Sequence, residues 1–431
     1  MPGERVGSVT PDVLLRLLVV FALILAVARL AGWLAERAGQ PAVVGEICAG
    51  ILLGPTLFGG ELTRLLFPAE VRPSLRILAD AGVVLFMFLV GAELNEKLLR
   101  GQGKAVARVA LGSMAAPFVL GAALALYLVD NHPGEHRLTF ALFMGTAMSV
   151  TAFPVLARIL GDRGLMETRI GALALACAAV GDVLAWTLLA VVVAMAGGAV
   201  ALWQILFVVP FAALLIMVVR PALTRLGERW NRGRSTITRR WGAGVLAVVA
   251  AGLALSAGAT EWMGLHLVFG AFLFGVAMPR RNWDSVHEWA LPWARRAASL
   301  LLPVFFAVAG LAVDLSEIDG SVLGELALVL LVAIGGKGLG TYAGARMGGI
   351  RVRSSATLAI LLNTRGLTEL IALSVGLRLG LLDTALYSVM VVMALVTTAM
   401  TGVLMPLAHP RSRVLPEVQP RILPPEVRPG R

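Results

Sequence analysis

Apolar stretches, interrupted by clusters of charge and by Gly/Pro turns, fill the chain from Val13 to Leu407. They fall at 13–35, 41–58, 77–95, 105–128, 138–158, 170–195, 201–219, 242–260, 264–279, 298–313, 324–345, 355–377 and 384–407. A helix needs roughly 20 apolar residues to cross about 30 Å of hydrocarbon. The pattern therefore predicts an all-α polytopic membrane protein with about 13 transmembrane helices. Composition agrees: the chain is 58% hydrophobic and only 15% charged, with a mean hydropathy of +0.85. Soluble domains run about 45–50% apolar and about 25% charged, which excludes a soluble enzyme. The first stretch lacks a basic lead-in and a cleavage site, so it reads as a retained helix rather than a signal peptide.

The connections alternate in charge. Lys97, Arg100 and Lys104 follow the third span, and Arg220, Arg225, Arg229, Arg232, Arg234, Arg239 and Arg240 the seventh. Arg280, Arg281, Arg295 and Arg296 follow the ninth, and Arg346, Arg351 and Arg353 the eleventh. The opposite loops, around Asp130–Arg137, Ala196–Ala201 and Asp314–Glu325, are nearly free of basic residues. Basic loops stay cytoplasmic, so an odd span count places residues 1–12 outside a cell (inner) membrane and the Pro-rich tail 409–431 inside. The tail's composition is that of a disordered segment. The net charge of +11 thus follows from topology, and no nucleic-acid partner is expected. Cys48 and Cys177 lie in apolar runs, where packing is their expected role. The one i,i+4 pair among the five His residues, His132 and His136, is interrupted by Pro133 and Gly134 and so does not offer the helical pair of a metal-dependent membrane enzyme.

Two spans share a pattern. Gly45, Gly50 and Pro55 of span 2 recur as Gly270, Gly275 and Pro279 of span 9, and Phe88–Glu93 of span 3 loosely matches Phe306–Asp314 of span 10. Seven spans separate the partners, so each pair points in opposite directions through the bilayer. The expected domain plan is two inverted repeats within 13–408, at 13–195 and 242–407, joined by a connector helix at 201–219. Such repeats exchange inward- and outward-open states, and their binding sites form where matching helices break. Span 5 carries Thr151 and Pro154, and its partner, span 12, carries Asn363 and Gly366. Pro154 has no N–H to give the Val150 carbonyl, and Gly366 weakens its helix. Two crossing broken helices are predicted there.

Ionisable groups at membrane depth cost roughly 2.5–3.5 kcal/mol each on insertion scales and mark ion or proton paths. Asp182 sits at the centre of span 6 with no neutralising neighbour in sequence. Desolvation favours its neutral form and a bound cation its ionised form, so one carboxyl can hold a proton or a cation, each displacing the other. Lys337 is the lone basic group inside span 11. Its Gly-Lys-Gly context fails as a phosphate loop, with Leu331 and Gly338 where Gly and Ser/Thr are required. A bond to Asp182 or to an unwound helix end is expected instead. Arg365 and Glu369 stand four apart on one helix face and can neutralise each other. Glu46 has no local partner and is a candidate gate or partner of a basic group. His266 reads as a packing or hydrogen-bonding group.

Together, Val44–Ile47, Gly50–Pro55, Thr151–Arg158, Asp182 and Asn363–Glu369 resemble the monovalent cation:proton antiporter-2 family, near the plant cation/H+ exchanger branch. The resemblance implies thirteen helices arranged as a core domain and a dimerisation domain, with the chain as a homodimer. It implies exchange of Na+ or K+ for protons by alternating access, with no cofactor beyond the transported ions. By the same resemblance Asp182 is the ion-binding aspartate, Lys337 the basic residue of the facing region, and Thr151 lies where unwound backbone approaches the ion. Family members often carry Asp, Asn or Gln before that aspartate; Gly181 stands there here. Without a second ligand, electroneutral exchange is expected. Many potassium-efflux relatives append a nucleotide-binding domain, and the short stretch after span 13 leaves none expected. The rival reading is a cation channel or uncoupled uniporter on the same scaffold, against which a single central carboxyl with no repeated acidic ring argues.

Overall fold

A computed structural model describes residues 11–56, 61–68, 70–94, 98, 101–129, 137–196, 204, 206–232, 239–279, 291–311, 313 and 323–408. Several features of the charge pattern lie outside the described residues: Lys97, Arg100, Arg234, Arg280, Arg281, Asp314, most of the three weakly charged loops, residues 1–10 and the tail 409–431.

The described residues are nearly all helical. The first half comprises α1 (Pro11–Arg37), α2 (Ala42–Leu53), a short α3 (Glu61–Leu66), α4 (Arg72–Glu93), α5 (Gly103–Leu128), α6 (Arg137–Ser149), α7 (Phe153–Asp162) and α8 (Arg169–Met195). A middle rod follows, made of α9 (Val208–Leu214), a π-turn (Leu215–Val219) and α10 (Arg220–Arg232). The second half comprises α11 (Arg239–Trp262), α12 (Leu267–Ala277), α13 (Leu291–Gly310), α14 (Leu323–Met347), α15 (Val352–Leu362), α16 (Leu367–Arg378) and α17 (Thr384–Ala408). Among the described residues, nine helices or broken helices are long and apolar enough to cross a membrane, and four shorter apolar helices accompany them.

Every predicted span contains helix, with one clear difference. Residues 220–232, expected as a basic connection, continue the rod of the seventh span. Charge marked where the apolar stretch ends, but nothing there stops a helix. Pro221 removes an N–H and crowds the carbonyl one turn earlier, and the chain meets this with the π-turn just before it.

Contacts in the two halves mirror one another. Helix α1 packs on α2 as α11 packs on α12; α2 crosses α13 as α12 crosses α4; α4 meets α13, and α5 meets α14. The matching glycines sit at the matching crossings. A Cβ added to Gly50 would stand 2.9 Å from Gly310 Cα, and one added to Gly275 3.0 Å from Gly91 Cα. The reciprocal distances are 2.9 Å from Gly310 to Gly50 and 3.1 Å from Gly91 to Gly275. Real side chains do not fit at such separations, so these helices touch backbone to backbone, as membrane helices do where small residues line the contact. The Gly spacing in the sequence thus encodes two equivalent crossings.

Candidate functional site

The two broken helices meet as expected. Helix α6 stops at Ser149, and α7 restarts at Phe153 with Pro154 in its first turn, where a missing N–H does no harm. Helix α15 stops at Leu362, and α16 restarts at Leu367. The breaks are laced together: Ala152 N donates to Thr364 O at 3.0 Å, and Thr151 Oγ1 donates to Leu362 O at 3.0 Å. Gly366 admits a close neighbour, since a Cβ there would lie 2.7 Å from Val155 Cγ2 of α7. Asn363 is buried at the end of α15, and its Oδ1 has no hydrogen-bond partner.

A helix that ends inside a membrane leaves its last carbonyls without partners. Two cations cover those of α6. The Arg365 guanidinium donates to Ala147 O at 3.1 Å and to Met148 O at 2.5 Å. The Lys337 ammonium, reaching in from α14, donates to Ser149 O and, at 3.0 Å, to Val150 O. The carbonyl that Pro154 orphans therefore has its donor, and of the two partners expected for Lys337 the unwound helix end is the one it bonds. Positive charge at a helix C-terminus also complements the helix dipole. Arg365 is fully buried and pairs with the equally buried Glu369 at 2.8 Å. Thr398 of α17 closes this end, accepting from Arg365 N at 2.8 Å and donating to Arg365 O at 2.7 Å.

Asp182, at the middle of α8, is 5% exposed. Its Oδ1 has no hydrogen-bond partner, and it forms no salt bridge with Lys337, whose ammonium is given to the end of α6. It borders a small pocket together with Thr146 in the last turn of α6, Val150 of the first break, Trp186 one turn along α8, and Thr368 of α16. The carboxyl, the carbonyl end of α6 and two threonines thus share one space. Thr146 and Thr368 were not singled out from the sequence. Thr368 could have been, as part of a seven-residue run, Asn363–Glu369, in which five residues are polar or charged inside an otherwise apolar span.

Thr151, Pro154, Lys337, Asn363, Arg365, Gly366 and Glu369 gather at the crossing, with Asp182 beside it. Glu46 does not join them. It is buried on α2, with Oε1 3.8 Å from the Arg158 guanidinium of α7, which also bonds Asp162 at 3.1 Å. Its basic partner is thus Arg158, which the sequence named only as the last residue of the Thr151–Arg158 motif. His266 caps α12, with Nδ1 accepting from Val268 N at 3.4 Å, and its ring lies 6.4 Å from that of Trp186. No group of three or more His, Cys, Asp or Glu residues that could hold a metal occurs among the described residues.

Comparison with known proteins places this architecture. The transmembrane sodium/hydrogen exchanger family matches residues 22–408. The Na(+)/H(+) antiporter NhaS4 of Synechocystis sp. is 39% identical over 412 residues, covering 93% of this chain and 98% of that protein. Cation/H(+) antiporter 20 of Arabidopsis thaliana is 36% identical, covering 89% of this chain and 47% of its own length. The chain therefore spans about half of that plant relative. The solved sodium proton antiporter MjNhaP1 of Methanocaldococcus jannaschii superposes with a TM-score of 0.62 at 14% identity, covering 91% of this chain and 96% of that one. At that identity the likeness establishes the fold, and the crossed helix breaks, the mirrored glycine crossings and the length of the family match together make this chain a multi-pass member of the sodium/hydrogen exchanger family.

Proposed function

We propose that the protein is a secondary-active antiporter exchanging Na+ or K+ for protons, with the two ions competing for Asp182. The observation that carries this reading is the state of Asp182: a buried carboxyl oxygen without a hydrogen-bond partner, next to a helix end whose carbonyls are already held by Lys337 and Arg365. Its neighbours leave it open to an incoming ion. The relatives' names, Na(+)/H(+) and cation/H(+) antiporter, support the same exchange.

In the proposed cycle the core domain, which carries the crossed breaks of the repeats 13–195 and 242–407, slides against the dimerisation domain between inward- and outward-open states. Asp182 crosses either protonated or cation-loaded. Moving it empty and charged would cost roughly 2.5–3.5 kcal/mol on insertion scales, which suppresses uncoupled crossing by a factor on the order of a hundred. That penalty couples the two fluxes. Thr151 straps the breaks together through Leu362 O, and contact with the ion would use its oxygen lone pairs. Arg365 and Glu369 act as a structural pair, Glu46 as a link between α2 and α7. Gly181 supplies no second ligand, so one cation exchanges for one proton and the cycle is electroneutral. The protein works as a homodimer in the cell membrane, N-terminus outside and C-terminus cytoplasmic.

Everted vesicles test the reading. Asp182→Asn folds and inserts but shows no cation-driven proton movement; normal exchange in that variant rejects the proposal.

A further inference from the structure

Within helices, Ser and Thr hydroxyls normally bond the carbonyl three or four residues back, and this protein follows the habit. Thr146 bonds Leu142 O, Thr187 bonds Val183 O, Ser374 bonds Leu370 O, and Thr397 bonds Met393 O, at 2.7–2.9 Å. Thr368 is an exception. Its Oγ1 is buried and has no hydrogen-bond partner. The reason is local: the carbonyls three and four residues back belong to the unwound stretch. Thr364 O accepts from Ala152 N, and Arg365 O accepts from Thr398 Oγ1. The break therefore strips Thr368 of its usual acceptors while α16 keeps it in place.

Of the buried side-chain atoms left without a partner, Thr368 Oγ1 and Asp182 Oδ1 belong to residues lining the same pocket. An unpartnered polar group in such a place costs about 1–3 kcal/mol and calls for an occupant. Asp182 supplies a charged oxygen and Thr368 a neutral one. Thr146 also lines the pocket, its hydroxyl proton already given to Leu142 O and its lone pairs uncommitted. Hard oxygens, one of them anionic, are the donor set of a small hard cation. A proton on Asp182 needs one acceptor, whereas a bare cation needs several oxygens. The neutral hydroxyl therefore favours the cation over the proton.

We infer that Thr368 is a cation ligand and a determinant of cation affinity, contributed by α16 across the pocket from Asp182. This rests on the antiport reading and assigns it a residue from the second half of the chain. A cation held from both α8 and α16 ties the first half of the chain to the second in the loaded state.

The test uses full-length protein in proteoliposomes, with Na+ and K+ in turn. Thr368→Val removes the hydroxyl at nearly constant volume and is expected to raise the half-saturating concentration of the transported cation roughly tenfold, the order of one lost contact to a charged group. The maximal rate stays within about twofold, and the pH giving half-maximal exchange at saturating cation is unmoved. Thr368→Ser restores the affinity. Should Thr368→Val not fold, Thr368→Ala in detergent decides: its stabilisation against heat by added cation requires roughly tenfold more cation than in the wild type. Wild-type cation dependence in Thr368→Val or Thr368→Ala, or a Thr368→Ser variant as impaired as Thr368→Val, overturns the assignment. Asp182→Asn separates the two levels: inactivity there alongside a normal Thr368→Val rejects only the threonine, while activity there rejects antiport through Asp182 altogether.

Discussion

Lys337 offers the sharpest test of how the site is built. In the structure its ammonium is given to Ser149 O and Val150 O, the last carbonyls of a helix that ends inside the membrane. Lys337→Met keeps the length and apolar stem and removes the donors. Two buried carbonyls then lack partners at about 1–3 kcal/mol each, so the gross loss is about 2–6 kcal/mol. Relief from burying an ammonium offsets part of this, leaving a net loss of about 2 kcal/mol or more. In detergent this appears as a fall in melting temperature on the order of 2 °C, read by the loss of monodisperse protein on heating. The informative comparison is the double variant Lys337→Met, Asp182→Asn. If the ammonium stabilises by holding the end of α6, removing the carboxylate as well restores nothing, because the orphaned carbonyls persist. If it stabilises chiefly as the partner of Asp182, neutralising both members recovers most of the loss. A double variant as stable as wild type would refute the reasoning.

Three further predictions concern the buried Arg365–Glu369 pair and the packing of glycines. Arg365→Met leaves Glu369 buried without its guanidinium and frees Ala147 O and Met148 O, so it costs about 3–5 kcal/mol and yields little folded protein on size-exclusion chromatography. Arg365→Met combined with Glu369→Met recovers part of the yield, since only carbonyls are then left unpaired. At the mirrored crossings, Gly310→Ala and Gly91→Ala each force backbone apart and lower thermal stability by about 1–3 kcal/mol, to similar extents. Gly181→Ala, whose new methyl would meet only Met114 Sδ at 3.8 Å, changes thermal stability little.

Much of this architecture is legible in the sequence because membrane burial leaves few ways to write it. Apolar length marks the spans, Pro154 and the Asn363–Gly366 run mark the breaks, and Gly50, Gly91, Gly275 and Gly310 mark the crossings, since each physical demand selects a narrow set of residues. What sequence could not give is who meets whom. Lys337 was compatible with Asp182 or with a helix end, and only the approach of α14 to α6 shows which it bonds. Glu46 required Arg158, more than a hundred residues away. Thr368 stands in the polar Asn363–Glu369 run, but its lack of a hydrogen-bond partner is a property of the folded break and not of that motif. The helix at Arg220–Arg232 was missed for a different reason: charge density signals where the membrane ends, and helices do not have to end with it.

The central claim is that one carboxyl, Asp182, holds a proton and a cation by turns. Cation-driven exchange in proteoliposomes, measured over a range of pH and cation concentration with the membrane potential clamped, tests it most directly. Competition for one group predicts that acidification raises the half-saturating cation concentration in proportion to proton concentration, leaves the maximal rate reachable by added cation, and shows no dependence on imposed potential. A half-saturating concentration that stays constant while pH alone sets the maximal rate, or the same pH dependence persisting in Asp182→Asn, would contradict the account.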